Sequence, residues 1–148
     1  MLSPGTSQVY YGDESSRSLT IEGTVGDATL RSFMNWDDIK TKDSTKEILK
    51  HWQKLGKFRA AHPSVGVGKH EVISQNPYIF KRTYSSQSYS DSVVVGLELA
   101  KGKKTLALQN VFAEGTLLRD AYSGTTATVT NGEVVIDTPY DIVLLENK

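Results

Sequence analysis

The spacing of apolar and polar positions changes character near residue 63. Before it the pattern predicts a short strand, a long loop and one helix. After it nearly everything predicts strand and turn. Gln8 to Gly12 is a short β-like run that follows Pro4-Gly5, and residues 13–29 are rich in Gly, Ser, Thr and Asp, a loop composition. Asp43 to Ala61 predicts a helix. Ser44 with Glu47 three residues on makes a capping box, which satisfies otherwise unpaired N–H groups of the first turn. Ile48, Leu49, Trp52, Leu55 and Arg59 recur on one face, and Phe58 widens that stripe. Gly56 inside the helix costs about 1 kcal/mol relative to Ala, so packing must favour it or the helix bends. Pro63 disfavours helical geometry at His62, which should end the helix there.

The second half predicts a run of short strands. Gly66 to Ser74 is the first. In Pro77 to Tyr84, Tyr78, Phe80, Arg82 and Tyr84 share one face while Ile79, Lys81 and Thr83 share the other. Ser85 to Ser92 is serine-rich and reads as a surface loop. Val93, Val95, Leu97 and Leu99 alternate with Val94, Gly96 and Glu98, the pattern of a half-buried strand. Lys101-Gly102 turns the chain into Thr105 to Asn110, and Leu117 to Tyr122 follows. Ser123-Gly124 turns into Thr125 to Thr130, where Thr126, Thr128 and Thr130 should face water. Asn131-Gly132 is a strong hairpin signal, because both residues tolerate the positive φ of a type I′ turn. Glu133 to Thr138 pairs back, and Ile142 to Leu145, apolar on both faces, should be a covered central strand. About eight strands at short spacing predict a mainly β fold, an antiparallel Greek-key β-sandwich. No internal repeat is evident.

Composition narrows the function classes. The chain has 148 residues, of which 38% are hydrophobic and 23% charged, values close to those of an ordinary folded domain. Its formal net charge is zero, which argues against a nucleic-acid partner or an anionic membrane surface. No apolar run approaches the length of a bilayer span, and no signal peptide is visible. There is no cysteine, which excludes disulfides, thiolate nucleophiles and Cys-ligated metals. His51, His62 and His70 lack the spacing of a ligand pair, and no Asp-rich calcium loop is present, so a metal in this chain is not expected. No Gly-x-Ser-x-Gly elbow exists. Val65-Gly66-Val67-Gly68-Lys69 lacks the spacing of a phosphate-binding loop and reads as a turn into the first strand. Tyr78, Tyr84, Tyr89 and Trp52 could offer ring faces to a sugar, but alternating aromatics on a strand more often pack in a core, and Tyr89 is the one expected to be exposed.

Several motifs, in order, resemble one family. Ser3 to Glu14, with Val9-Tyr10-Tyr11-Gly12-Asp13-Glu14 at its centre, looks like the segment around the eighth barrel strand of the α-amylase family of glycoside hydrolases, family 13. Arg31 to Trp36 is similar to that family's Arg-x-Pro-Met-x-Trp element, with Phe33 in place of the proline. Trp52 to Pro63 looks like the final barrel helix with its Arg-x-x-His-Pro ending. Gly68 to Val72, the aromatic-x-Arg of Phe80-Lys81-Arg82, and Leu118 to Gly124 resemble the C-terminal β-domain. The resemblance implies residues 1–63 as a remnant of the last strand, loop and helix of a (β/α)8 barrel, then residues 64–148 as the C-terminal β-sandwich.

It further implies a parent enzyme that hydrolyses α-glucans such as starch, glycogen or maltooligosaccharides with retention, using two carboxyl groups on either side of the scissile bond. In the family these lie before the eighth strand, so no catalytic residue is carried over. Asp13 and Glu14 are adjacent and point apart at a strand end, so they are expected to cap a loop rather than flank one bond. Arg31 and Trp36 are the candidate substrate-binding residues, through guanidinium bonds to hydroxyls and ring stacking, in the intact parent; the plainer reading is Arg31 paired with Asp27 or Asp37 and Trp36 anchoring the loop. The chain is expected to be structural and inactive alone, its partner the upstream catalytic barrel, with any calcium of the parent held upstream too. Without a barrel, residues 8–12 should be disordered, pair with a sandwich edge, or pair with a second copy, and Trp52, Leu55 and Phe58 should form an apolar patch favouring a homodimer. The alternative is a non-catalytic carbohydrate-binding sandwich module. Localisation is left open, although the resemblance fits a secreted or periplasmic parent.

Overall fold

The computed structural model describes residues Met1–Lys148. The chain divides into two compact units, Met1–Thr6 with Lys57–Lys148, and Ser7–Gly56. The boundary expected at residue 63 falls inside the first of these. Its N-terminal six residues join it through Arg59, whose guanidinium donates to the carbonyl oxygens of Met1 at 2.7 Å, Ser3 at 2.9 Å and Gly5. Gly5 N also donates to Gly66 O at 2.8 Å.

The first unit is an antiparallel Greek-key sandwich. Its strands are β1 (Lys69–Gln75), β2 (Tyr78–Ser85), β3 (Ser90–Leu97), β4 (Gly102–Ala107), β5 (Leu117–Asp120), β6 (Thr126–Thr128), β7 (Glu133–Thr138) and β8 (Val143–Asn147). Six of them form one sheet in the order β1-β2-β3-β8-β5-β6, and β4 pairs with β7 in a second. The chain crosses between sheets after β3, β4, β6 and β7, and the last crossing inserts β8 between β3 and β5. Ile79, Val94, Leu118, Val143 and Leu145 of the large sheet meet Leu106, Val134 and Ile136 of the small one in a single core. Gly96 packs tightly there: a Cβ on it would lie 2.8 Å from Leu99 Cδ1, which would have to shift. The threonines of β6 face water as expected, and Asn131 and Gly132 adopt φ 55° and 73° in the turn before β7.

The outer face of the large sheet is covered as well. A short helix over Pro63–Val67 lies against β2 and β3, where the sequence pattern had predicted the start of a strand from Gly66. Gly68 permits the approach, since a Cβ would stand 2.5 Å from Ser64 O and 2.6 Å from Thr83 O. This covering explains why β3 is not half-buried: Val93, Val94 and Val95 are all fully buried, on both faces. Registers place one row of outward side chains across the sheet. His70 lies opposite Arg82, Arg82 opposite Val93, Glu146 opposite Arg119 and Arg119 opposite Thr126. Extending the Val94–Leu145 register by one residue sets Val93 opposite Glu146. Four charged or titratable side chains thus share one row with a valine beneath a helix, and that row holds most of the unit's polar chemistry.

The other unit, Ser7–Gly56, holds two single turns of 3₁₀-helix over Asp13–Ser15 and Gly26–Leu30, a short helix α1 (Trp36–Thr41), and most of the long helix α2 (Asp43–Ala61). We number the Pro63–Val67 helix α3. The span of α2 is as the pattern predicts. Its capping box does not form, because α1 runs almost directly into α2. Lys42, in an extended conformation, takes the cap position, and Ser44 is already helical. No strand forms at Gln8–Gly12.

Candidate functional site

Arg17, which the sequence did not single out, organises the expected sugar-facing loop. It is only 6% exposed. Its Nε donates to Tyr11 O at 3.0 Å, Nη1 to Ser32 O at 3.1 Å and to Ser32 Oγ, and Nη2 to Leu30 O at 3.1 Å. Its guanidinium carbon also lies 4.0 Å from the centre of the Tyr11 ring, within cation–π range. A fork of five fixed donors suits such a role, because one side chain can collect carbonyls from two loops. Tyr11 Oη donates to Ser32 O at 3.1 Å, and Ser15 and Asn35 bond reciprocally, Ser15 Oγ to Asn35 Oδ1 at 2.7 Å and Asn35 Nδ2 to Ser15 O at 2.8 Å. The segments 10–17 and 30–36 are therefore stitched together. Gly12, at φ 87°, is the only residue that fits the crossing: a Cβ would lie 2.4 Å from Arg17 Nε.

On this frame Arg31 and Trp36 are both exposed. Arg31 shares a cavity of about 290 Å³ with Tyr10, Asp27 and Leu30. It forms no ion pair with Asp27 or Asp37. Trp36 is 62% exposed and Phe33 98% exposed, so neither is anchored by burial. Asp13 and Glu14 turn inward on their own loop: Tyr10 N donates to Asp13 Oδ2 at 3.3 Å, and Gly12 N to Glu14 Oε2 at 3.0 Å. Both carboxylates satisfy backbone donors of a tight turn.

In the sandwich unit the densest chemistry centres on His62, at the junction of α2 and α3. Its Nδ1 lies 2.8 Å from Asp91 Oδ1 and its Nε2 lies 2.6 Å from Glu146 Oε2. Each ring nitrogen thus faces one carboxylate oxygen, and the imidazole is gripped from both sides. Asp91 also accepts from Ser64 N at 2.9 Å, and Glu146 accepts from Arg119 Nε at 2.7 Å. Burial works to raise the Asp91 pKa, but the bonds from His62 and Ser64 outweigh it and hold the carboxyl below 3.8. A cavity of about 260 Å³ opens beside this group, bordered by His62, Ser90, Asp91, Ser92, Phe112 and Asn147. His62 is a clasp between two strands.

Two further residues of the row behave differently. Arg82 is fully buried, and only its Nε is satisfied, by Ser64 O at 3.0 Å; Nη1 and Nη2 have no hydrogen-bond partner. His70 donates to or accepts from Tyr78 Oη at 3.1 Å, and burial together with the nearby Arg82 charge lowers its pKa below 6.5. Of the candidate sugar platforms, Tyr89 is exposed while Tyr78, Tyr84 and Trp52 are half-buried. No group of three His, Asp or Glu side chains is arranged to hold a metal ion. Asp91 and Glu146 flank His62, with its imidazole between them.

No protein-family model matches the chain. A periplasmic α-amylase of Escherichia coli (strain K12) is 42% identical to it over 73 residues, which are 49% of this chain and 10% of that protein. The crystal structure of an Anoxybacillus α-amylase superposes on 82% of this chain and 26% of its own, with a TM-score of 0.57 and 25% identity. The crystal structure of Ttha1563 from Thermus thermophilus has the same fold over 99% of this chain and 29% of its own, with a TM-score of 0.59 and 20% identity. The chain thus spans about a tenth of the curated relative and about a quarter of the solved ones. These matches make the chain a relative of the α-amylases of glycoside hydrolase family 13, over a stretch that fits a C-terminal portion of such an enzyme.

Proposed function

We propose that this chain is the non-catalytic C-terminal part of an α-amylase-like glycoside hydrolase acting on α-glucans, and that its role there is to support the catalytic barrel. One observation carries the reading: its loop and clasp carboxylates are committed to its own scaffold. Asp13 and Glu14 cap a turn, and Asp91 and Glu146 grip His62. None of them is free to act as nucleophile or proton donor at a glycosidic bond. The partial match to α-amylases supplies the family context.

In this reading the barrel is the principal partner, and the unit Ser7–Gly56 is where contact with it is made. Val9, Tyr10, Tyr11, Leu19, Val25, Leu30, Phe33 and Trp36 are all exposed there, a density of apolar surface that marks an interface. In the absence of a barrel the same residues favour association of two copies, in place of the expected Trp52, Leu55 and Phe58, of which Phe58 is buried and the other two half-buried. Arg31 and Trp36 would border the outer sugar subsites of the assembled enzyme, any calcium would be bound upstream, and the parent would be periplasmic or secreted.

The test has two arms. The pure chain should release no reducing ends from starch and should flow through insoluble starch. Release of sugar would overturn the non-catalytic reading, and retention would favour a carbohydrate-binding module. In the second arm, the matched 73-residue stretch replaces its counterpart in the E. coli periplasmic α-amylase. An active chimera supports the scaffold role. A folded chimera that cannot hydrolyse starch, when the unaltered enzyme can, counts against it.

A further inference from the structure

The turn between the two sheets carries a chemical liability and, beside it, the group that restrains it. Asn131-Gly132 joins β6 to β7 in an exposed turn. An asparagine followed by glycine is the sequence in which the next main-chain nitrogen meets least steric hindrance on its way to the side-chain amide, and such asparagines are thermolabile. Here Glu114, from a loop 17 residues earlier, reaches across. Its Oε1 accepts from Asn131 N at 2.9 Å and its Oε2 accepts from Gly132 N at 3.3 Å. The rest of the turn is fixed as well. Thr130 and Glu133 exchange two backbone bonds, at 2.9 and 3.1 Å, and Leu108 N donates to Gly132 O at 3.0 Å.

We propose that Asn131 is a latent deamidation site and that Glu114 is the carboxylate that holds it in check. In the reaction Gly132 N loses its proton to solvent base and attacks Cγ of Asn131. The N–Cγ bond forms, the Cγ–Nδ2 bond breaks, and ammonia leaves. Water then opens the succinimide at one of its two carbonyls, giving aspartate or isoaspartate. The attacking atom is the one whose hydrogen Glu114 engages. A carboxylate at that position disfavours the amide anion by like charge and keeps the nitrogen from swinging toward Cγ. Once the reaction has occurred, the isoaspartate route adds a main-chain carbon between Val129 and Val134, which are both buried in the core. The modification would therefore open the turn at which the chain changes sheets.

The experiment is peptide mapping by mass spectrometry on the full chain held in warm, mildly alkaline buffer. Four samples are followed: the wild type folded, the wild type unfolded in urea, and the folded variants Glu114→Ala and Glu133→Gln. The readout is the one-dalton gain at Asn131 relative to Asn35, Asn110 and Asn147. The folded wild type should convert more slowly than the unfolded chain. Glu114→Ala should convert about five-fold faster than wild type at Asn131 alone, the factor given by the ~1 kcal/mol net worth of one hydrogen bond. Glu133→Gln, which changes the local charge without touching the clamp, should match the wild type. The proposal fails if Glu114→Ala converts at the wild-type rate or if Glu133→Gln accelerates the reaction equally. If all asparagines accelerate together in Glu114→Ala, the chain has loosened generally and Glu114→Gln, which keeps the side-chain shape and removes the charge, decides: a rise confined to Asn131 supports the proposal, and its absence overturns it.

Discussion

Replacing His62 by alanine should destabilise the sandwich unit by about 3 kcal/mol, at the lower end of the ~3–5 kcal/mol seen when one partner of a buried charged group is removed. The magnitude follows from the geometry. The side chains of His62, Asp91 and Glu146 are 13%, 8% and 8% exposed, so solvent screens the group only weakly. Each bond to a carboxylate is worth about 1.5–3 kcal/mol net, and the variant loses two. Asp91 keeps Ser64 N and Glu146 keeps Arg119, so neither anion is orphaned. The adjacent cavity of about 260 Å³ admits water to what remains, which places the cost low in the range. Urea unfolding followed by circular dichroism measures it, and the slope with denaturant should stay constant while the midpoint falls. His62→Gln, able to reach one carboxylate, should lie between. The acid limb gives a second readout. The Asp91 pKa is depressed in the folded state, so its contribution is present above 3.8 and is lost as pH falls through the lower, folded value. Removing His62 takes away much of that depression, so the variant should show a shallower fall below pH 3.8. A change of less than about 0.5 kcal/mol, the size of an ordinary surface substitution, would refute the clasp.

Arg82→Met should be neutral or stabilising by about 1–4 kcal/mol, since an apolar isostere of a poorly compensated buried charge costs less to bury; a lower urea midpoint than wild type would overturn that. Gly12→Ala should cost at least ~1–2 kcal/mol from the left-handed backbone alone. A clash with Arg17 adds to it, so amide exchange at Tyr11 and Arg17 should rise sharply, and Arg17→Ala in the same chain should relieve the clash only in part, because the Cβ of residue 17 would still lie 2.7 Å from the new methyl. His70 has a lowered folded pKa, so unfolding takes up a proton and its contribution, full above pH 6.5, declines as pH falls below that value. Stability of His70→Leu should accordingly vary less with pH just below 6.5, and an unchanged pH profile would remove His70 from the account.

What the sequence made legible was whatever is decided locally. The span of α2 and that of β7 were read to the residue, because each repeats its own period over many positions and is bounded by Pro63 or by Asn131-Gly132. What escaped was decided by partners distant in the chain. The short helix α3 contains a glycine and is followed by another, a poor helical sequence, and it is held by β2 and β3. That same covering layer buries the second face of β3, which strand alternation cannot reveal. His62 meets residues 29 and 84 positions away, and no spacing rule connects those three. Arg17 lay in a stretch that looked like plain loop, yet it fixes the segment carrying Arg31, the residue the sequence did favour. The family motifs and the structure therefore describe different properties of the same residues. A motif such as Tyr11-Gly12-Asp13-Glu14 carries a resemblance. What its carboxylates do is set by the nearest donors, and those donors are the backbone amides of Tyr10 and Gly12. A carboxylate already holding a turn together would have to break that turn to reach a substrate, so Asp13 and Glu14 act in this fold as parts of the turn.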